Sequence, residues 1–143
     1  GVDMGLTRAG RYVVFDVIRG QWDSYSREMV ILRAAARDGK NVEVGLEQEP
    51  GSGGKESAEN TVRMLAGYRV RVVRVDTKKV DRADTFSTAV NGGNVTLIDG
   101  DWVAKFVEEF RWFPAMRTKD QVDAGSGAFN ILAVPKRRCG ALR

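Results

Sequence analysis

The strongest constraint on this chain is its alternation of strand-like and helix-like segments. "RYVVFDVIRG" (11–20) is rich in β-branched and aromatic residues. With "GVDMGL" (1–6) and the intervening "TRAG" it reads as a β-hairpin. Residues 23–39 read as a helix, with Asp23 or Ser24 as its cap and Gly39 as its stop. "NVEVGLE" (41–47) alternates as a strand does, 55–67 has a helical apolar stripe ending at Gly67, and 68–76 is again strand-like. A helix over 80–93 stopped by glycines and a short strand over 94–99 follow. The last two helices are 101–113, capped by Asp101 and ended by Pro114, and 119–134, weakened by Gly125 and Gly127. Strands that alternate with helices pair in parallel, and the hairpin adds an antiparallel edge. The expected fold is one α/β domain over residues 1–134, a central mixed sheet flanked by helices, followed by a basic tail over 135–143.

Composition narrows the chemistry. The 143 residues contain no histidine and one cysteine, Cys139, so His-based triads, His-rich zinc sites and a disulfide framework within the chain are excluded. A metal would have to be held by carboxylate oxygens, which favours Mg²⁺ or Mn²⁺. No apolar run approaches the ~20 residues that span a bilayer, so no membrane partner is expected. The net charge of +4 is compatible with a polyanionic partner without requiring one.

"GLEQEPGSGGKES" (45–57) invites comparison with a phosphate-binding loop, but the register fails. Glu49 stands where the first glycine of such a loop belongs, and Glu56 follows Lys55 where a hydroxyl is needed. The carboxylates are the more informative part. Glu43, Glu47 and Glu49 share one face of an extended strand, and Glu47 and Glu49 fall at its carboxyl end, where open α/β sheets place their sites. A strand between two helices is expected to be mostly buried, and a carboxylate there needs a partner. Glu47 therefore reads either as a metal or catalytic residue or as a solvated strand end. Asp120 and Asp123, three apart in "KDQVDA", are neighbours on one helix face. They serve equally well as an acidic pair for a cation or as first-turn residues complementing the helix dipole.

The densest basic region comprises Arg69, Arg71 and Arg74 on a strand and Lys78, Lys79 and Arg82 after it. It reads as a phosphate-contacting patch or as a solvated charged face. Phe106, Phe110 and Phe113 sit at helical spacing and read as core, and Trp22, Trp102 and Trp112 as fillers.

Several stretches together resemble one family, the C-terminal nuclease domain of the large terminase subunit of tailed bacteriophages. They are "RYVVFDVIRGQW", "GLEQEPGSGGKESAEN", "KKVDRADTFSTAVNGGNV" and "DWVAKFVEEFRWFP" followed by "KDQVDAGSGA", in that order. The resemblance implies an RNase H-like, resolvase-type fold and a metal-dependent endonuclease that cuts concatemeric viral DNA during packaging. It places Glu47 at the strand-end catalytic acid and Asp120 and Asp123 in the C-terminal acidic cluster, with Glu49 in support, holding two Mg²⁺ or Mn²⁺ ions. It implies that Lys79 to Arg82 lie near that site, and Lys78 and Arg71 of the basic region are further candidate DNA contacts. The implied partners are double-stranded DNA, an ATPase domain, the portal and the small terminase, in the cytoplasm of a bacterial host. Two departures stand out. The family's usual first strand, bearing a metal-bridging aspartate, is expected to be missing, since "GVDMGL" matches the second strand better, although Asp3 mimics that acid. Lys119 stands where the family has the first of two aspartates. The alternative reading is a catalytically impaired remnant that binds DNA or serves a structural role. A hairpin edge left open by a missing strand would be covered by self-association into a homodimer.

Overall fold

The computed structural model describes residues 1–74 and 79–134. Within them the expected alternation is present throughout: β1 (Val2–Leu6), β2 (Tyr12–Val17), α1 (Ser24–Asp38), β3 (Glu43–Gln48), α2 (Ser52–Met64), β4 (Arg69–Arg74), α3 (Lys79–Asn91), β5 (Val95–Leu97), α4 (Val103–Trp112) and α5 (Asp120–Ala133). The basic tail over 135–143 lies outside the described residues. The chain divides into two compact units, Gly1–Ile18 with Lys79–Arg143, and Arg19–Lys78.

The first unit carries the mixed pairing. β1 and β2 form the antiparallel hairpin, with a bulge between Asp3 and Met4, and β5 pairs in parallel with β2. At the hairpin turn, Gly10 adopts φ 81°, a left-handed value that glycine tolerates without a Cβ clash, and its N–H donates to the Thr7 carbonyl. β2 is central in the order β1-β2-β5, and Val14 and Val17 on it are buried. They pack with Phe86, Phe106 and Phe129, one ring from each of α3, α4 and α5. Ring centroids lie 5.2 Å apart for Phe86–Phe129 and 4.7 Å for Phe106–Phe110, the offset and tilted contacts that aromatic quadrupoles favour. Gly125, read from sequence as a weak point of α5, has a packing reason. A Cβ there would lie 3.0 Å from Cζ of Phe110.

In the second unit β3 and β4 pair in parallel from Glu43↔Arg69 to Gln48↔Arg74, and α2 packs on β3. The α1 cap is Asp23, which accepts from the Ser26 N–H at 2.7 Å, and Gly39 ends the helix at φ 84°. Two local expectations change. α2 starts at Ser52, so Gly53 and Gly54 are its first turn instead of a loop. α4 starts after Trp102 with no side-chain cap, so Asp101 lies in the preceding turn. No residue of β3 is fully buried, which overturns the expectation of a mostly buried strand. Glu47 stands exposed on this strand, so its charge keeps contact with water. Among the described residues no helix is long and apolar enough to cross a membrane.

Candidate active site

The acids expected from the sequence fall on two elements, the first turn of α5 in the first unit and the end of β3 in the second. Asp120 is the first residue of α5 and is exposed, whereas Asp123, nearly a turn on, faces inward. The Lys119 side chain makes no hydrogen bond to the start of α5. The helix N-terminus is held instead by Glu109 of α4, which is only 3% exposed. One oxygen of Glu109 accepts from the backbone N–H of Gln121 at 2.7 Å and of Val122 at 3.2 Å. The other accepts from the Gln121 side-chain amide at 2.7 Å, and the same amide donates to the Lys105 carbonyl at 3.3 Å. The first N–H groups of a helix have no intrahelical partner, and a carboxylate there also meets the positive end of the dipole. Glu109 thus does for α5 what a local cap does for other helices, from twelve residues upstream.

Sequence reasoning missed Glu109, yet a signal was present. On α4 it falls at the spacing of Phe106, Phe110 and Phe113, a carboxylate on the apolar face of an amphipathic helix. The following helix also begins without Ser, Thr, Asp or Asn just before Asp120.

The surroundings of the two aspartates differ. The guanidinium of Arg82 on α3 lies 3.6 Å from the Asp123 carboxylate, with the side chains 11% and 13% exposed. Asp120 lies near the amino group of Gly1, as does Asp16 of β2. Burial holds that amine below its ordinary pKa, while the two carboxylates pull it the other way. Asp16 is in turn the cross-strand partner of Asp3.

On β3, Glu47 is exposed, one residue before the strand end, and Glu49 is exposed in the connection to α2. Because β3 and β4 run parallel in register, the acidic face of one strand and the basic face of the other coincide. Glu43 stands beside Arg69, and its carboxylate pairs with Arg71 at 3.3 Å. Arg71, expected as a DNA contact, is thus engaged within the sheet. The glycines after β3 allow a close approach, since a Cβ on Gly54 would collide with the carbonyl of Glu49. Lys78 lies outside the described residues. Lys79 opens α3, with its side chain outside the described set.

The donors present fit a hard divalent ion in their chemistry. They are all carboxylate oxygens, and Mg²⁺ is commonly held by one or two carboxylates together with substrate phosphates and water. Among the described residues no group of three or more acidic, histidine or cysteine side chains gathers at metal-binding distance. Asp120 offers an exposed carboxylate, and Asp123 shares its charge with Arg82.

Comparison with known proteins adds one finding. The family model described as Terminase RNaseH-like domain matches residues 7–131. No curated protein and no solved structure matches the chain. The matched span includes β2 through most of α5 and takes in Glu47, Glu49, Asp120 and Asp123. The RNase H-like α/β architecture and a nuclease role in terminase-driven DNA packaging follow from that match. The chain belongs to the Terminase RNaseH-like domain family.

Proposed function

We propose that this chain is a divalent-metal-dependent endodeoxyribonuclease that cuts concatemeric double-stranded viral DNA during genome packaging. The observation that carries the reading is the family match over residues 7–131, a span that includes Glu47, Glu49, Asp120 and Asp123. Asp120, Asp123 and Glu47 would hold Mg²⁺ or Mn²⁺, with Glu49 in support. The chemistry supplied by such ions is Lewis-acid stabilisation of in-line phosphodiester hydrolysis. The chain's own contribution is to present these carboxylates on ordered backbone. Glu109 fixes the turn that carries Asp120 and Asp123, and the parallel β3–β4 pair carries Glu47. Lys78, Lys79, Arg82 and Arg71 are the proposed phosphate contacts, within a machine that also contains an ATPase domain, a portal and a small terminase. The outer edge of β1 is proposed to pair with a second copy.

A second reading is a non-catalytic remnant that retains DNA binding. The Arg82 guanidinium on Asp123 and the lysine at position 119 favour it, because each places positive charge where a cation would bind. Nicking of supercoiled plasmid in Mn²⁺ separates the two. The nuclease reading expects cleavage that stops in EDTA and falls at least 100-fold in Glu47→Ala and Asp120→Ala, on the order of the loss of a metal ligand. Absence of cleavage by the parent chain, with DNA binding that survives EDTA and weakens steeply with salt, supports the remnant.

A further inference from the structure

We propose that Glu109 is the positioning residue of the α5 acids: its buried carboxylate orders the first turn of α5 and so sets the geometry in which Asp120 and Asp123 meet a divalent ion. The proposal rests on the nuclease reading for its metal half and on geometry alone for its ordering half.

A carboxylate 3% exposed on an aromatic-rich helix is costly to bury unless its lone pairs are met. Three donors meet those of Glu109, and all three belong to the first turn of α5: the Gln121 and Val122 backbone N–H groups and the Gln121 amide. Gln121 is itself buried and reaches back to the Lys105 carbonyl, so the clasp ties α5 to two successive turns of α4. The clasped residues lie between the two aspartates. Asp120 is adjacent to Gln121, and Asp123 follows Val122. With no side-chain cap from Lys119, the clasp supplies the cap that the local sequence lacks. Metal ligands depend on such supporting hydrogen bonds for their orientation, and losing one weakens metal affinity about 10- to 100-fold.

Amide hydrogen exchange and Mn²⁺ binding, followed by the EPR signal of free Mn²⁺, test both halves on the full chain. In Glu109→Ala, protection of the Gln121 and Val122 amides is expected to fall about 10- to 100-fold relative to amides of β2, with affinity for Mn²⁺ about 10-fold weaker. Glu109→Gln keeps an acceptor oxygen without the charge, so it should recover part of both, and it serves if the alanine variant does not fold. At saturating Mn²⁺ the nicking rate of either variant should return towards that of the parent. Protection at Gln121 and Val122 that is unchanged, or that falls equally across the first unit, overturns the ordering role. Lost protection with unchanged Mn²⁺ affinity overturns the link to the metal and leaves the nuclease reading standing. A parent chain that binds no Mn²⁺ overturns that reading and the metal half together, and exchange still decides the ordering half.

Discussion

Arg82 and Asp123 form a nearly buried ion pair between α3 and α5, 3.6 Å apart. Removing one member of such a pair takes a close opposite charge away from the other in a poorly solvated place, which costs up to about 3–5 kcal/mol. Arg82→Ala should therefore lower unfolding stability by about 3 kcal/mol in urea titrations. The double variant Arg82→Met with Asp123→Leu should be less destabilised than Arg82→Ala. Equal stability of Arg82→Ala and the parent would show that the pair adds nothing to the stability of the fold.

Gly53 and Gly54 are adjacent in the first turn of α2 and make opposite predictions. A Cβ at Gly53 meets nothing within 4 Å, whereas one at Gly54 meets the Glu49 backbone carbonyl. Gly54→Ala is expected to cost about 1–3 kcal/mol by forcing the β3–α2 connection apart. Gly53→Ala should be neutral or stabilising by about 0.5 kcal/mol, because alanine loses less backbone entropy in a helix. Thermal unfolding of the two variants side by side reads the difference.

Asp23 gives a pH dependence with a fixed sign. Hydrogen bonds from Ser26 hold its carboxyl below the ordinary value of 3.8 in the folded chain. A carboxyl whose folded pKa is depressed stabilises the fold above its unfolded pKa and loses that contribution as pH falls through the folded value. Asp23→Ala should therefore melt below the parent at neutral pH. The two curves should converge as pH falls through and below 3.8. A gap that persists undiminished at the acid end would show that charge on Asp23 does not support the α1 cap.

Periodicity and punctuation in the sequence marked every strand and helix of the described residues, because strong β-branched runs and glycine stops coincide here. Gly39 and Gly67 sit at positive φ just past α1 and α2, at the positions that read as stops. The boundaries of α2 and α4 were less visible. Gly53 and Gly54 have poor helix propensity but lie in the first helical turn, where the passing Glu49 carbonyl leaves no room for a side chain at Gly54. The partners of the site residues were the least visible, since they are made across the fold. Glu109 lies at the spacing of the apolar face of α4, but its hydrogen-bond partners are twelve and thirteen residues away in the sequence. Only the packing of α4 on α5 turns it to the helix N-terminus. In the same way, Arg82 and Arg71 read as a basic patch until their partners Asp123 and Glu43 appear on neighbouring elements.

The central claim is that Glu47 and Asp120 are both required for metal-dependent cleavage by this chain. Single-turnover nicking of supercoiled plasmid in saturating Mn²⁺ tests it with four chains: the parent, Glu47→Ala, Asp120→Ala and the double variant. Residues that act as one catalytic set are strongly non-additive, so the double variant should be no slower than the slower single variant. Losses that multiply in the double variant, or cleavage by the parent that neither substitution slows, would contradict the account.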